Sequence, residues 1–309
     1  MKSFLQSHDW AEFQESIGHS TWMIDNGKMR ALIIEHALPL GLPGQGKNYL
    51  YVPYGPVISF DHIRGGLRDE VNGFIQHVRE LAKKQKSIFV KVEPQSDVVM
   101  ELIYRRGFKR SKKSIQPNKT VIVDLKKSES ELSSAMHHKT RYNVNLALKK
   151  SLDFQESDDV KVFWKMLKRT SEVDKFHTHN EKYYKHLLGF FSSKTEIKTK
   201  LVLVSSEGKP IAGAILLLYE NTAYYLHGAM DRDYKNLMAP YKMHWEIMIW
   251  AKSQGYEFYD LWGIDANKWP GVTRFKLGWG GRLVEYPGSF DMPISSFWYF
   301  MYRLIRKLR

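Results

Sequence analysis

Residues 260–281 have the sequence DLWGIDANKWPGVTRFKLGWGG, and they decide how the chain is interpreted. An apolar run ending at Trp262 predicts a buried strand, which Gly263 interrupts. A polar loop is expected next, and Phe275 and Lys276 come just before the glycines at 278, 280 and 281. Glycine permits close backbone approach to a ligand, and a lysine held there can neutralise an anion or polarise a carbonyl. The same pattern is typical of a hairpin with a solvated lysine, so both interpretations stay open.

The composition predicts a globular protein of two domains with a basic surface. A chain of 309 residues exceeds one small domain, and its hydrophobic fraction of 43% supports packed cores. The net charge of +14 favours nucleic acid, anionic membranes or phosphate-bearing molecules, or reflects a generally basic protein. The absence of cysteine excludes disulfides, thiolate metal sites and a cysteine nucleophile. No signal-peptide pattern or membrane-spanning apolar run is present, so we expect a cytoplasmic protein.

The first half of the chain predicts an α+β unit. Asn26-Gly27 is the strongest turn signal and joins two strands as a hairpin. The other predicted elements are a helix at 3–17, a loop at 39–47, a strand at 49–53, a helix at 66–84, a strand at 88–94 and a helix at 98–105.

The second half predicts a similar order of elements, which suggests that one fold occurs twice. Ser128 and Glu131 form a capping-box pattern at the start of one helix that runs to about Lys150. The other predicted helices are at 160–170, 180–191 and 239–254, and the predicted strands are at 120–125, 199–205, 210–219, 222–228 and 256–262.

Two basic segments each allow two interpretations. The helix after Ser128 either tracks phosphates or presents an ordinary solvated face. Its candidate phosphate-binding residues are Lys139, Arg141, Lys149 and Lys150. The segment 294–309 mixes aromatic and basic residues, which predicts a helix that either lies on anionic lipid or docks on the first domain.

Common catalytic motifs are absent from the sequence. It contains no HExxH, P-loop or GxSxG motif, so a metal site, nucleotide hydrolysis and serine-hydrolase chemistry have no support. His177 and His179 are more typical of surface or substrate contacts than of metal ligands. Asp260 and Glu93 lie at strand ends and are candidate acids or bases.

A series of spaced motifs runs through nearly the whole chain. The motifs are YVPYGPV at 51–57, IQPNKT at 115–120, VDL at 123–125, KTRYN at 139–143, YYLHGA at 224–229, APY at 239–241, YDLWG at 259–263 and FK at 275–276. This series resembles the FemABX family of aminoacyl-tRNA-dependent transferases, which build peptidoglycan cross-bridges. The resemblance implies two tandem GNAT-like (acyl-CoA N-acyltransferase-like) domains with a cleft between them. The first would cover 1–115 with about 286–309, and the second 116–285.

The resemblance also implies the reaction, its partners and its residues. An amino acid would pass from its tRNA to an amine of a lipid-linked or UDP-linked peptidoglycan precursor, without a cofactor. Phe275 and Lys276 match the family's pair at the tRNA acceptor end, where Lys276 could stabilise an oxyanion. Tyr183 matches a tyrosine of the precursor-phosphate site, and Tyr225 lines the same cleft. Glu93 falls where the family often has an aspartate near the acceptor peptide.

Some positions depart from the family pattern. His179 stands in place of the usual arginine before Tyr183, and His227 in place of a tyrosine. A lysine near the N-terminal tryptophan is replaced, with Glu12 and Gln14 nearby, and the helical coiled-coil arm is missing. The changes remove charges and a phenol that would hold phosphates, so they leave the acceptor open. The alternatives are a GNAT-fold acyltransferase with another acyl donor or a non-muropeptide acceptor, and a non-catalytic module that binds nucleic acid or membrane.

Overall fold

The computed structural model describes residues 3–38, 46–58, 66–174 and 177–308, which form two compact units. Unit 1 comprises Met1–Asn118 and Tyr286–Arg309, and unit 2 comprises Lys119–Glu285. The predicted loop at 39–47 lies largely outside the described residues. Each unit contains one large sheet covered by helices, so the predicted α+β class is confirmed.

Both units contain strands and helices mixed along the chain. The strands are β1 (Thr21–Asp25), β2 (Met29–Ala37), β3 (Asn48–Val52), β4 (Val57–Ile58), β5 (Phe89–Val92), β6 (Lys109–Arg110), β7 (Lys119–Asp124), β8 (Asp153–Glu156), β9 (Ile197–Ser206), β10 (Lys209–Tyr219), β11 (Thr222–Met230), β12 (Phe258–Asp260), β13 (Arg282–Glu285) and β14 (Phe290–Pro293). The helices are α1 (His8–Ser16), α2 (Leu67–Lys84), α3 (Asp97–Tyr104), α4 (Glu129–Ala135), α5 (His138–Leu148), α6 (Val160–Asp174), α7 (Glu181–Phe191), α8 (Ala239–Ser253), α9 (Pro270–Leu277) and α10 (Ser296–Leu308). Within the described residues, short 3-10 helices lie at Phe4–Gln6 and Arg232–Leu237.

The sheet of unit 1 has the order β1-β2-β3-β5-β14-β6, with β4 also paired to β2. The predicted hairpin at Asn26-Gly27 is confirmed as β1 and β2. Val90 and Val92 point to one face of the sheet, where α2 and α3 cover them. Phe89 points to the other face and packs against α10. Side chains alternate along a strand, so α3 and α10 lie on opposite faces.

Helix α2 agrees with the helix predicted at 66–84 from the spacing of its apolar residues. Its buried side chains recur at helical spacing and pack on the sheet of unit 1. Acidic residues lie in its first turn and lysines in its last, which complements the helix dipole.

The sheet of unit 2 has the order β13-β7-β12-β11-β10-β9-β8. Its parallel pair is β11 with β12, which are matched over Thr222–Tyr224 and Phe258–Asp260. Strand β12 ends at Asp260, whereas β11 continues to Met230. Beyond Asp260, β11 therefore pairs with β10 but no longer with β12, and the sheet divides between β11 and β12.

The predicted single helix from Ser128 to Lys150 is wrong, because two helices occupy this segment. The Ser128–Glu131 capping box starts α4 as predicted, but Met136 adopts an extended backbone and α4 ends. His137 then caps α5 by accepting a hydrogen bond from the Lys139 N–H through Nδ1. A buried Met136 and a histidine cap break the helix without proline or glycine.

The loop or hairpin predicted before Phe275 and Lys276 is also wrong, because Pro270–Leu277 forms α9. Proline favours the first helical turn, where an N–H has no partner in the helix, and Pro270 occupies that place. The glycines after α9 permit close approach of the chain to itself. A Cβ at Gly278 would overlap the Thr140 hydroxyl, one at Gly280 the Ala135 carbonyl, and one at Gly281 would lie 2.7 Å from Val121. This packing joins the end of α9 to α4, α5 and β7.

Within the described ranges, none of the helices combines the length and apolar character needed to cross a membrane.

Candidate active site

Asp260, at the end of β12, organises the backbone beside the division of the sheet. Its Oδ1 accepts hydrogen bonds from the buried Thr120 hydroxyl and, at 2.8 Å, from the Trp262 N–H. Trp262 has a φ of 58°, a left-handed conformation that is uncommon for a bulky residue. Burial raises the pKa of Asp260 to about 6, and its two hydrogen bonds and the charge of Lys276 oppose this rise. The carboxylate thus stabilises an unusual turn directly after β12.

Lys276, on α9, directs its ammonium at that turn. Nζ lies 2.9 Å from the Gly263 carbonyl oxygen, 3.4 Å from that of Trp262 and 5.5 Å from the ring centre of Tyr225. Only 8% of the residue is exposed. Burial lowers the pKa of Lys276 to about 8, and the negative charge of Asp260 opposes this fall. At neutral pH the group is a buried cation, and two of its three N–H donors are directed at the chain's own carbonyls.

A β-bulge places Tyr225 above Lys276. Leu216 pairs with Tyr225 and Ile215 pairs with His227, so Leu226 is an extra residue on β11. The bulge reverses the alternation of side chains along the strand. Tyr225 therefore packs on His244 of α8, with ring centres 4.5 Å apart, whereas His227 contacts Tyr184 of α7 at 5.1 Å.

His244 is a fully buried histidine behind Tyr225. Its Nδ1 lies 2.8 Å from the Tyr259 hydroxyl oxygen, and Nε2 has no hydrogen-bond partner among the described residues. Its ring also packs on Phe275 and Trp279. Burial, with a further contribution from the charge of Lys276, lowers the pKa of His244 to about 3, so the ring is neutral. We call Tyr225, His244, Asp260 and Lys276 the lysine cluster.

A second group, the histidine–tyrosine cluster, consists of His179, Tyr183, Tyr184 and His227. The rings of His179 and Tyr183 stack at 3.8 Å, and the edge of Tyr184 meets His227. Burial lowers the pKa of His179, and burial and the charge of His179 lower that of His227 to about 3. Both histidines are therefore neutral near pH 7. They can donate or accept hydrogen bonds and stack, but they supply no fixed positive charge.

The structure thus divides the predicted site residues of unit 2 between the two faces of β11. Tyr225 lies with Lys276, whereas Tyr183, His179 and His227 lie together on the α7 side. Phe275 is half-buried, and its ring packs on Tyr241, His244 and Trp279.

The predicted phosphate-binding residues differ in their surroundings. Lys139 and Lys149 are exposed. Arg141 instead donates to the carbonyls of Ser133, Ser134 and Met136 at the end of α4, and Lys150 donates to the Asn236 carbonyl at 2.8 Å.

Glu93 belongs to unit 1, where it is buried. It accepts hydrogen bonds from the Tyr51 hydroxyl at 2.6 Å and from the backbone N–H groups of Ile115 and Gln116 at 2.6 and 2.9 Å. These donors fasten the segment that leads into Pro117, so Glu93 has a structural role in its unit whatever else it contacts.

His244 of the lysine cluster and its neighbour Thr120 are not identified from the sequence as site residues. His244 lies in an apolar helix without a recognisable motif, and Thr120 is an ordinary strand residue. Their roles are visible only in the structure, where His244 hydrogen-bonds with Tyr259 and Thr120 donates to Asp260. No group of three or more potential metal ligands occurs among the residues that the structure describes.

Comparison with known proteins decides the family. The FemAB family profile matches residues 1–105, 103–204 and 199–307. The chain belongs to the FemAB family. A lipid II:glycine glycyltransferase of Staphylococcus epidermidis is 24% identical, and the match covers 99% of this chain and 90% of the relative. One from Staphylococcus aureus is 22% identical, with the same coverage.

Solved structures of FemAB-like architecture agree with the fold. The crystal structure of FemX has a TM-score of 0.82 at 20% identity, and the match covers 97% of this chain and 94% of that one. A tandem GNAT protein from the clavulanic acid pathway has a TM-score of 0.56 at 11% identity, covering 90% and 83%. The predicted family, the GNAT-like fold and the assignment as an aminoacyl-transferring enzyme are confirmed.

Proposed function

We propose that this protein transfers an amino acid from aminoacyl-tRNA to an amine of the stem peptide of a peptidoglycan precursor. The observation that carries the proposal is the full-length similarity to lipid II:glycine glycyltransferases. The buried lysine beside the divided sheet is the group best suited to the chemistry. The names of these relatives favour a lipid-linked acceptor.

The reaction needs an oxyanion to be stabilised. The acceptor amine attacks the ester carbonyl, a tetrahedral oxyanion forms, and the C–O bond to the tRNA ribose then breaks. The amine's proton leaves to water or a base, and the ribose oxygen takes up a proton. Because the ester is already activated, placing the two substrates together supplies much of the rate.

Lys276 can stabilise that oxyanion. Two N–H groups of its ammonium are directed at the carbonyls of Trp262 and Gly263, which orients the third for a substrate oxygen. Only a small part of Lys276 is exposed, so its charge acts in a medium of low effective dielectric constant. Oδ1 of Asp260 accepts from Thr120 and Trp262, and the charge of Asp260 keeps the pKa of Lys276 from falling further. We therefore assign Asp260 to positioning and charge balance rather than to proton abstraction.

Different surfaces would bind the tRNA and the peptidoglycan precursor. Lys139 and Lys149 are exposed and suited to the RNA backbone, whereas Arg141 and Lys150 are engaged by carbonyls. The neutral histidine–tyrosine cluster is suited to hydrogen bonding and stacking with the acceptor rather than to charge neutralisation.

A transfer assay tests the proposal. Labelled amino acids on a pool of charged tRNAs are offered with lipid-linked or UDP-linked muropeptide to the wild type, to Lys276→Met and to Lys268→Met. Lys268 is a matched control, because it is an exposed lysine near the start of the same helix. We expect label in the muropeptide with the wild type and Lys268→Met, and very little with Lys276→Met. If folded wild-type protein labels neither acceptor, the result would favour another acyl donor. A coenzyme A binding assay would then test that alternative.

A further inference from the structure

Helix α10 has one face that is docked on unit 1. The Tyr299 hydroxyl donates to Asp291 Oδ2 at 2.9 Å, and Asp291 also pairs with the buried Lys91 at 2.6 Å. The rings of Tyr299 and Tyr302 lie 5.3 and 5.0 Å from that of Phe89. This face is held by a polar network and by aromatic packing, so the helix has a defined orientation.

The opposite face of α10 is apolar and exposed. Phe297 is 65% exposed, Phe300 63% and Leu304 42%. Positions three and seven residues apart lie on one side of a helix, so these side chains form a single stripe. We call this stripe the Phe297 face.

Basic residues accompany the Phe297 face. Residues 292–309 contain Arg303, Arg306, Lys307 and Arg309 and no acidic residue. Arg303 is exposed, and the positions of Arg303 and Lys307 follow those of Phe300 and Leu304 by three residues each, so they border the Phe297 face. Arg306, by contrast, donates to the Tyr302 hydroxyl on the docked face. A narrow apolar stripe with cations beside it is complementary to an anionic lipid surface, where rings enter the headgroup boundary and cations meet phosphates.

We propose that the Phe297 face lies in the headgroup region of an anionic bilayer and attaches unit 1 to the membrane. One stripe of three side chains is small compared with a stable protein interface, which buries about 1,200–2,000 Å² in total. A bilayer, by contrast, accepts a short stripe without a matching groove. The contact is independent of the acyl transfer, because it involves lipid and α10 alone.

The test uses vesicles without any peptidoglycan precursor. Co-sedimentation is measured with phosphatidylcholine vesicles that contain or lack phosphatidylglycerol, for the wild type and for Phe297→Ser/Phe300→Ser. Each buried aromatic side chain contributes enough that losing two should reduce partitioning at least about tenfold. Val98→Ser/Tyr104→Ser is the control, since these residues are 52% and 58% exposed on α3, across the sheet. We expect the control to bind like the wild type, and Arg303→Glu to weaken binding mainly at low salt.

Three results would overturn the proposal. The first is wild-type protein that does not prefer vesicles with phosphatidylglycerol. The second is unchanged binding of Phe297→Ser/Phe300→Ser. The third is a wild-type dimer, detected by light scattering, that this variant converts to monomers, because the face would then join two copies of the chain. Transfer to a soluble UDP-linked acceptor, measured in parallel, reports on the proposed function separately.

Discussion

The ring of Tyr225 occupies the space that a side chain at Gly228 would need. A Cβ built on Gly228 would overlap the Tyr225 hydroxyl and the adjoining ring carbons. The bulge at Leu226 puts both positions on the same face of β11, and Lys276 Nζ lies 5.5 Å from the centre of the Tyr225 ring. A glycine at 228 is therefore required for Tyr225 to keep its contacts with Lys276 and His244.

Gly228→Ala should displace Tyr225 and impair both folding and transfer. Overpacking of this kind lowers the free energy of unfolding by about 1–3 kcal/mol. Gly189→Ala is the control, because Gly189 is an exposed position of α7 where a Cβ meets nothing within 4 Å and alanine is neutral or stabilising. Urea denaturation and initial transfer rates compare the two variants. Equal free energies of unfolding of Gly228→Ala and the wild type would show that Gly228 does not confine Tyr225. The same conclusion would follow if the destabilising effects of Gly228→Ala and Tyr225→Ala simply added in the double variant.

Lys276→Met should reduce transfer by about 10²–10³-fold, since one donor to a developing oxyanion contributes about that much. The buried methionine fills similar space, so we expect folded protein by circular dichroism. Lys268→Met should transfer at the rate of the wild type, because the Lys268 side chain is 71% exposed. A rate in Lys276→Met close to that of the wild type would remove Lys276 from the chemistry.

The elements that were predicted correctly have local causes. The Asn26-Gly27 turn, the apolar stripe of α2 and the Ser128–Glu131 capping box each act through residues close in sequence. The errors arise where tertiary contacts decide. The break at Met136 depends on burial, and α9 depends on packing of the following glycines against α4, α5 and β7.

The candidate site was predictable only where its residues carry a sequence pattern. Lys276 was found because it stands between a strand end and glycines, and Asp260 because it ends that strand. The division of Tyr225 from His227 was not predictable, because the bulge is defined by pairing with β10. His244 has no local signal, since its partner Tyr259 lies on a different element.

Asp260 should make stability depend on pH in a specific direction. Burial raises its pKa from 3.8 to about 6, so the folded state favours the neutral acid. Its contribution to stability is full below pH 3.8 and is lost as pH rises through about 6. A shift of about two pKa units corresponds to about 3 kcal/mol. The free energy of unfolding of the wild type, minus that of Asp260→Asn, should therefore fall by up to about 3 kcal/mol between pH 4 and pH 7.

Urea denaturation of both proteins in the same buffers measures this difference. The pH-dependent contributions of carboxylates that both proteins contain cancel in the difference. Asparagine keeps an oxygen for Thr120 and Trp262, so the variant removes the titrating carboxyl while these two hydrogen bonds are retained. A difference that stays constant or rises with pH would contradict a raised pKa.

The His244–Tyr259 hydrogen bond should show strong coupling between two buried side chains. His244→Phe leaves the Tyr259 hydroxyl without this partner, and Tyr259→Phe does the same to His244 Nδ1. A buried polar group that loses its partner costs about 1–3 kcal/mol, whereas replacing both partners by apolar groups can be nearly neutral. The double variant should thus be destabilised by less than the sum of the single variants, with a coupling of about 0.5–3 kcal/mol. His138→Phe, at an exposed position, should leave stability unchanged. Additive single effects in urea denaturation would mean that the hydrogen bond adds nothing to the folded state, and that His244 is retained only for its packing behind Tyr225.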